Sequence, residues 1–426
     1  MHASISKWFE QHDQEVKDLS RDLWEHPEAA MQEFYACERV AEFMRLHGFD
    51  VTELDILNRG KKPNCVIAKY GSGKPVIGIL GELDALNGLG NDSVPYRSER
   101  PGPGHGCGHN LLAAGCAGAA AALKLAMADE GLTGTIIYYG CPAEETLDGK
   151  VHMAGQGLFN DLDLCLTYHP ATGPVMVSEG TTLASTNLQF KFYGTTAHAA
   201  ANPQDGRSAL DAAELMNVGV NYLREHVTDD VRIHYVYING GEAANIVPGY
   251  AELNYFVRSS KRENNNDVVQ RVIDCAKGAS IMTGTRYEAV LNAGCYEFLV
   301  NHKLAEVLYG AAGKVPDIVY TDEDRNFADQ LYTHLKGEPP KNPLLYTGLR
   351  PLVGAEYRLP GSSDLGDVSQ MVPTVNCWDT AWRTSHPGTI GPLWPLRAAP
   401  SGRRPPFTPR RCLPRAAWIF CKIHRW

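Results

Sequence analysis

Residues 110–130 form a continuous Ala/Leu-rich stretch, "NLLAAGCAGAAAALKLAMADE", with no polar stripe along it. A segment this long and this rich in small apolar residues fits a helix buried on every side, so other elements must cover it. Short apolar runs of strand length flank it, at residues 65–68 and 76–80 before and 135–139 and 163–168 after. Helical and strand-like patterns thus alternate over residues 1–180, which predicts an α/β layer with a largely parallel sheet.

The character changes near residue 184. "NLQFKFY" (187–193) alternates polar and apolar strictly, the mark of a strand with one wet face. A helical pattern follows at 208–226, where Leu215, Val218 and Tyr222 fall on one face. Strand patterns at 232–238 and 251–257, a helix at 265–282 and a strand near 286–291 complete the set. The order β-α-β-β-α-β predicts a ferredoxin-like insertion. The expected organisation is a first domain over 1–183, an inserted domain over 184–295, a return to the first over 296–378, and an atypical tail over 379–426.

A chain of 426 residues is long enough for this two-domain plan. Its net charge of −9 argues against a nucleic-acid or anionic-membrane partner, which would need a basic face. The N-terminal "MHASISKWFEQHDQEVKDLSRDLW" reads as an amphipathic helix rather than a signal peptide. No apolar run is expected to reach the roughly 20 residues of a membrane span. Eleven cysteines without a repeating framework suit reduced thiols, and the expected location is cytoplasmic. From residue 381 to the end there is no Asp or Glu, but eight Arg, eight Pro and four of the seven Trp. Neither helix nor strand periodicity survives there, so an altered reading frame or an atypical splice explains this stretch better than a basic binding tail does.

Ligands of open α/β sheets bind beyond the carboxyl ends of the strands. Here the strand candidates run into Gly81-Glu82-Leu83-Asp84, into Gly140-Cys141-Pro142-Ala143-Glu144-Glu145 and into His169-Pro170. "GHGCGHN" (104–110) immediately precedes the Ala-rich helix, where the helix dipole favours a thiolate. Singly, each has a bland reading: paired glutamates are usually a solvated turn, and a His before Pro is usually structural. Together they bring Cys, His, Glu and His to one place, as a metal site requires. Zn²⁺ and similar ions accept thiolate, imidazole and carboxylate, and a catalytic site keeps a position for water. Two adjacent glutamates allow one to bind metal while the other stays free as general base.

These stretches resemble the metal-dependent aminoacylase/carboxypeptidase-type amidohydrolases, including aminobenzoyl-glutamate hydrolase-like and indole-acetyl-amino-acid hydrolase-like members. The likeness rests on "GELDAL" (81–86), "GHGCGHNLLAAG" (104–115), "GCPAEE" (140–145), "DLDLCLTYHP" (161–170), "GTTAHAAANPQDGRSALDAAELMNVGVNYLREHV" (194–227), "ANIVPGYAELNYFVR" (244–258) and "GSSDLGDVSQMVPTV" (361–375). It implies a dinuclear-metal exopeptidase-like catalytic domain with an inserted dimerisation/lid domain, two divalent ions (Zn or Mn) and a homodimer paired through the insertion. The implied reaction is cleavage of the amide of an N-acyl or N-aroyl amino acid, or a small dipeptide, by metal-activated water.

The resemblance implies Cys107, His109, Glu145 and His169 as metal ligands, with Cys107 where related peptidases use a bridging Asp. It implies Glu144 as general base and Asp84 as the supporting acid, while Glu82 sits where other branches keep a ligand histidine. His198 matches the insertion-domain histidine that steadies the oxyanion in a partner subunit's site. Asn245 and Arg258 fall where the family binds the substrate's carboxylate or amide, for which an Arg fork suits a carboxylate. The departure is at the C-terminus, where the family supplies one more ligand histidine and only His386 is available, in a context that does not match. An alternative therefore stands: a non-catalytic dimeric binding or regulatory relative whose metal site is impaired by the tail.

Overall fold

A computed structural model describes residues 3–380, apart from 95, 97, 98, 172–174, 178, 316, 318, 346, 347, 353, 355–357 and 360. The chain divides into two compact units. Of the described residues, the first takes those up to 180, 299–357 and 368–380; the second takes those of Thr181–Phe298 with Arg358–Asp367.

In the first unit, helices α1 (Ala3–Glu25) and α2 (Phe34–Leu46) lead into strands β1 (Asp50–Leu54), β2 (Cys65–Ser72) and β3 (Val76–Glu82). Helix α3 (His109–Glu130), β4 (Gly134–Cys141), α4 (Gly149–Gly155), β5 (Leu164–Ala171) and β6 (Met176–Val177) follow. The strands form one sheet with β11 (Thr374–Thr380), in the order β1-β2-β4-β3-β5-β11-β6. The four central strands β4, β3, β5 and β11 are mutually parallel, so their carboxyl ends share one edge. Strand β2 runs antiparallel to β4, so the sheet is mixed with a mainly parallel centre.

Every residue of β4 is buried, as expected of a strand covered on both faces. Helix α3 is buried along most of its length and packs between the sheet and α1, which turns Ile5, Trp8, Phe9, Val16, Leu19 and Leu23 inward. By length and composition α3 could cross a membrane, contrary to the expectation that no run qualifies. Alanine and glycine supply much of that apolar length, and here it is spent inside the protein core.

The second unit contains β7 (Ala184–Tyr193), α5 (Ala209–Leu223), β8 (Arg232–Asn239), β9 (Tyr250–Ser259), α6 (Arg262–Thr283) and β10 (Arg286–Cys295). Its sheet is antiparallel with the order β10-β7-β9-β8, the βαββαβ arrangement of a ferredoxin-like layer. Leu188, Phe190 and Phe192 of β7 face the helices, as the alternation predicts.

Helix α5 does not bury the face that Leu215, Val218 and Tyr222 share. Its core face is Ala209, Ala212, Ala213, Met216, Val220 and Leu223, while Leu215, Val218 and Tyr222 are exposed. Small residues let the helix sit close to the sheet, and the bulky apolar ones are left outside. A second difference concerns 358–367, read from sequence as part of the first domain. This stretch joins the second unit through Leu183 N–H donating to Gly361 O and Tyr296 N–H donating to Asp367 Oδ2.

Helices α7 (His302–Ala312), α8 (Asp322–Lys336) and α9 (Leu365–Met371) precede β11. Residues 381–426, and with them His386, lie outside the described residues.

Candidate metal centre and active site

The carboxyl ends of β3, β4 and β5 and the first turn of α3 bring Glu82, Glu144, Glu145, His169, Cys107 and His109 together. His169 lies within β5 rather than after it, because the strand continues to Ala171 and pairs with β11. Gly108, at φ +82°, provides the left-handed turn that places Cys107 and His109 on either side of the start of α3. Ala143 and Leu147 adopt positive φ of 52° and 63°, strained values for residues with side chains, and they bracket Glu144 and Glu145. The buried Glu33 carboxyl group anchors this turn by accepting from the N–H of Ala143 at 2.8 Å.

Cys107 Sγ lies 3.2 Å from His169 Nε2, whose other ring nitrogen is 2.7 Å from Pro170 O. His109 is fully buried, with Nδ1 at 3.0 Å from Asp84 Oδ1, and its Nε2 points at three carboxylates. These are Glu82 Oε2 at 3.2 Å, Glu144 Oε2 at 3.9 Å and Glu145 Oε1 at 3.9 Å. Asp84 orients the group from behind, since its Oδ2 accepts from Glu145 N–H at 2.9 Å. Thus Asp84, Cys107, His109, Glu144, Glu145 and His169, all expected from sequence, meet in one place.

Burial raises the Glu144 carboxyl to about 8, helped by the charges of Glu82 and Glu145 and opposed by Lys150. Burial, and then the neighbouring Cys107, push Glu145 well above the carboxylate range. Burial acts to raise Glu82, but Lys150, 2.7 Å away, together with His109 and His169 outweighs it and holds the group down at about 2. Burial lowers His169. For His109 burial acts downward, but Cys107 and Glu82 raise it well above the usual imidazole range. The site thus crowds negative charge around two imidazoles, and a divalent cation would relieve it.

The orphaned atoms agree with that. Glu82 Oε2, His109 Nε2 and Glu145 Oε1 are buried and lack a hydrogen-bond partner, an expensive state for polar atoms unless something else binds them. Cys107, His109 and His169 present donor atoms within 4.8 Å of one another, and so do Glu82, His109 and Glu144. Thiolate, imidazole and carboxylate donors suit Zn²⁺ or a similar ion.

Two residues escape sequence reasoning. Lys150 has no exposed surface although "LDGK" reads as a surface turn. It is brought in by Gly149, where a Cβ would strike Pro142 O at 1.7 Å. Glu33 sits in "HPEAAMQEF", which carries no local sign of a buried carboxylate.

His198, Asn245 and Arg258 all lie in the second unit. His198 is exposed, and its Nδ1 accepts from the N–H groups of Ala200 and Ala201 at 3.2 and 3.1 Å, which leaves Nε2 outward. Asn245 is on the facing segment, where its carbonyl accepts from Ala199 N–H at 3.0 Å. Arg258, on β9, lies over the Phe256 ring at 5.6 Å.

The fold and the buried donor set define a metal-dependent hydrolase of amide bonds. Residues 78–329 match Peptidase family M20/M25/M40, and the chain belongs to that family. It is 35% identical over 400 residues to a p-aminobenzoyl-glutamate hydrolase subunit of Escherichia coli (strain K12), a match covering 88% of this chain and 82% of the relative. It is 28% identical over 372 residues to Xaa-Arg dipeptidase of Homo sapiens, covering 84% and 74%. Among solved structures, the fold resembles an aminobenzoyl-glutamate utilization protein from Klebsiella pneumoniae, with TM-score 0.69, 19% identity and 97% and 98% of the two chains covered. A dinuclear metal binding peptidase of the M20 family from Bacillus subtilis gives a TM-score of 0.63 at 19% identity, covering 96% and 98%.

Proposed function

We propose that this chain hydrolyses the amide bond of an N-acyl or N-aroyl amino acid, of the aminobenzoyl-glutamate kind, or of a small dipeptide, using two divalent ions, Zn²⁺ or Mn²⁺. The observation that carries the reading is the convergence of unpartnered buried donors on His109 beside a raised carboxyl at Glu144. Cys107, His109, Glu145 and His169 would hold the metal. When bound, the metal lowers the pKa of a water and polarises the scissile carbonyl.

Glu144 takes the proton from the attacking water and returns it to the leaving amine, a role served by its burial and its position at the rim of the donor set. Asp84 keeps His109 in one tautomer and holds the Glu145 backbone. His198 donates to the developing oxyanion through Nε2, and Asn245 and Arg258 bind the substrate's amide or carboxylate. Arg258 is half-buried, and burial lowers its pKa, so a substrate carboxylate beside it would be a welcome counter-charge. The free thiols of all nine described cysteines suit a reducing, cytoplasmic location.

The same reading makes the chain a homodimer through the second unit. Its edge strand β8 exposes Val236, Tyr237 and Ile238, and α5 exposes Leu215, Val218 and Tyr222. Tyr237 joins the two elements by donating to Glu214 Oε1 at 2.9 Å. An unpaired edge beside an apolar face is a surface that a second copy covers well. Val218→Asp with Tyr222→Asp should convert a dimer to monomers in sedimentation; a wild-type chain that sediments as a monomer, or dimerises only with a different protein, refutes the homodimer.

The direct test of activity combines metal analysis with a screen of N-acyl amino acids and dipeptides for release of free amine. One to two Zn²⁺ or Mn²⁺ per chain and turnover of a substrate in the panel are expected. A chain that binds such compounds without turnover, even with added metal, favours the non-catalytic alternative.

A further inference from the structure

We propose a separate metal site within the first unit, in which His12 and Glu15 of α1 and His47 at the end of α2 hold a Zn²⁺ ion that ties the two helices together. The site shares no residue with the donor set around His109, and the inference does not rest on the hydrolase reading above.

His12 and Glu15 are three residues apart on α1 and so share one face of the helix. His47 is the C-cap of α2, and its N–H donates to Phe43 O at 3.1 Å. The Glu15 carboxylate lies between the two rings, with Oε1 at 3.1 Å from His12 Nδ1 and Oε2 at 3.2 Å from His47 Nε2. Donor atoms of all three residues fall within 4.8 Å of one another. Ligands about 2.0–2.1 Å from one tetrahedral Zn²⁺ lie about 3.3 Å apart, close to the two separations found. Two imidazoles and a carboxylate suit zinc and leave room for water as a further ligand.

A carboxylate that merely hydrogen-bonds two histidines would show similar distances, and burial decides between the readings. The His47 side chain is only 8% exposed, yet its Nε2 is buried without a hydrogen-bond partner, the contact to Glu15 being close but not of hydrogen-bond geometry. His12, which is 31% exposed and could turn to water, does make its hydrogen bond to Glu15. A simple hydrogen-bonded cluster would satisfy the buried ring first, because an unmet buried polar atom is the costly one. The surroundings also hold both rings in place. Trp8 stacks on His12 with centroids 4.9 Å apart, and Phe43 packs on His47 at 4.4 Å. Lys124 fixes the turn that carries His47 by donating to the carbonyls of His47 and Gly48.

The test is zinc titration of the chelator-treated full chain by calorimetry, with folding followed by circular dichroism. His12→Phe keeps a ring stacked on Trp8 and removes one donor, while Glu15→Gln keeps the shape of another; both residues are part-exposed on α1, so both variants should fold. Loss of an outer-shell partner already costs about 10–100-fold in metal affinity, so each variant should lose one zinc per chain or hold it at least about 10-fold more weakly than the wild type. Cobalt places the ion. The absorption difference between wild type and His12→Phe should show visible bands without the thiolate-to-cobalt charge transfer that Cys107 would give. Zinc uptake by either variant equal to that of the wild type means that Glu15 only pairs with the histidines, and it overturns the site. A thiolate band in the cobalt difference assigns the lost ion to the Cys107 centre and overturns it as well.

Discussion

The two units hold their polar side chains in opposite ways. In the first, Glu82 Oε2, His109 Nε2 and Glu145 Oε1 are pulled below the surface and lack hydrogen-bond partners. In the second, His198 is exposed and its Nδ1 is satisfied by two backbone N–H groups of its own turn. Burial without satisfaction costs stability, and it persists where the missing partner is a ligand. Exposure with satisfaction costs nothing, so it says that the residue is held in place but not what it does. The contrast separates a centre that needs a cation from a histidine that is free to meet a substrate.

That contrast can be broken from the buried side first. Glu33→Ala leaves the N–H groups of Met31 and Ala143 without their acceptor and should destabilise the chain by roughly 2–4 kcal/mol in denaturant unfolding. Burial, and then the charge of Asp84, push the Glu33 carboxyl up to about 8, so the folded chain keeps a proton there that the unfolded chain releases above its ordinary value of 4.5. The associated stability is complete below that ordinary value and is lost as pH rises through about 8. Glu33→Gln should therefore flatten the fall in melting temperature of the metal-free chain across this window; an unchanged slope would assign the proton elsewhere.

The exposed side should respond far less. His198→Ala should leave unfolding free energy within about 0.5 kcal/mol of the wild type and leave metal content unchanged, while kcat falls. A large loss of stability or of metal would mean that His198 is structural after all, and the contrast between the units would dissolve.

Much of the fold was legible because periodicity reports burial. The even burial of α3 and β4 appears in the sequence as apolar runs without a stripe, and the alternation of β7 appears as one wet face. The face of α5 was not legible, because periodicity shows that apolar residues share a side, not which side meets the sheet. Alanines took the core there, and Leu215, Val218 and Tyr222 went outward. The strand ends pointed to Glu144, Glu145 and His169, and the start of the Ala-rich helix to Cys107 and His109, because in a parallel sheet the carboxyl ends share an edge. The Glu82–Lys150 pair was not legible either. It links β3 to α4, two elements separated along the chain by α3 and β4, and no local pattern marks a lysine that will be buried.

The central claim is that Glu144 moves the proton while its neighbours hold the metal, and Glu144→Gln tests it most directly when turnover and bound metal are measured on the same preparation. The substitution keeps shape and removes the base, so turnover of the best substrate should fall by about 10²–10⁴-fold with metal content unchanged. Turnover equal to that of the wild type, with the metal still bound, would contradict the account.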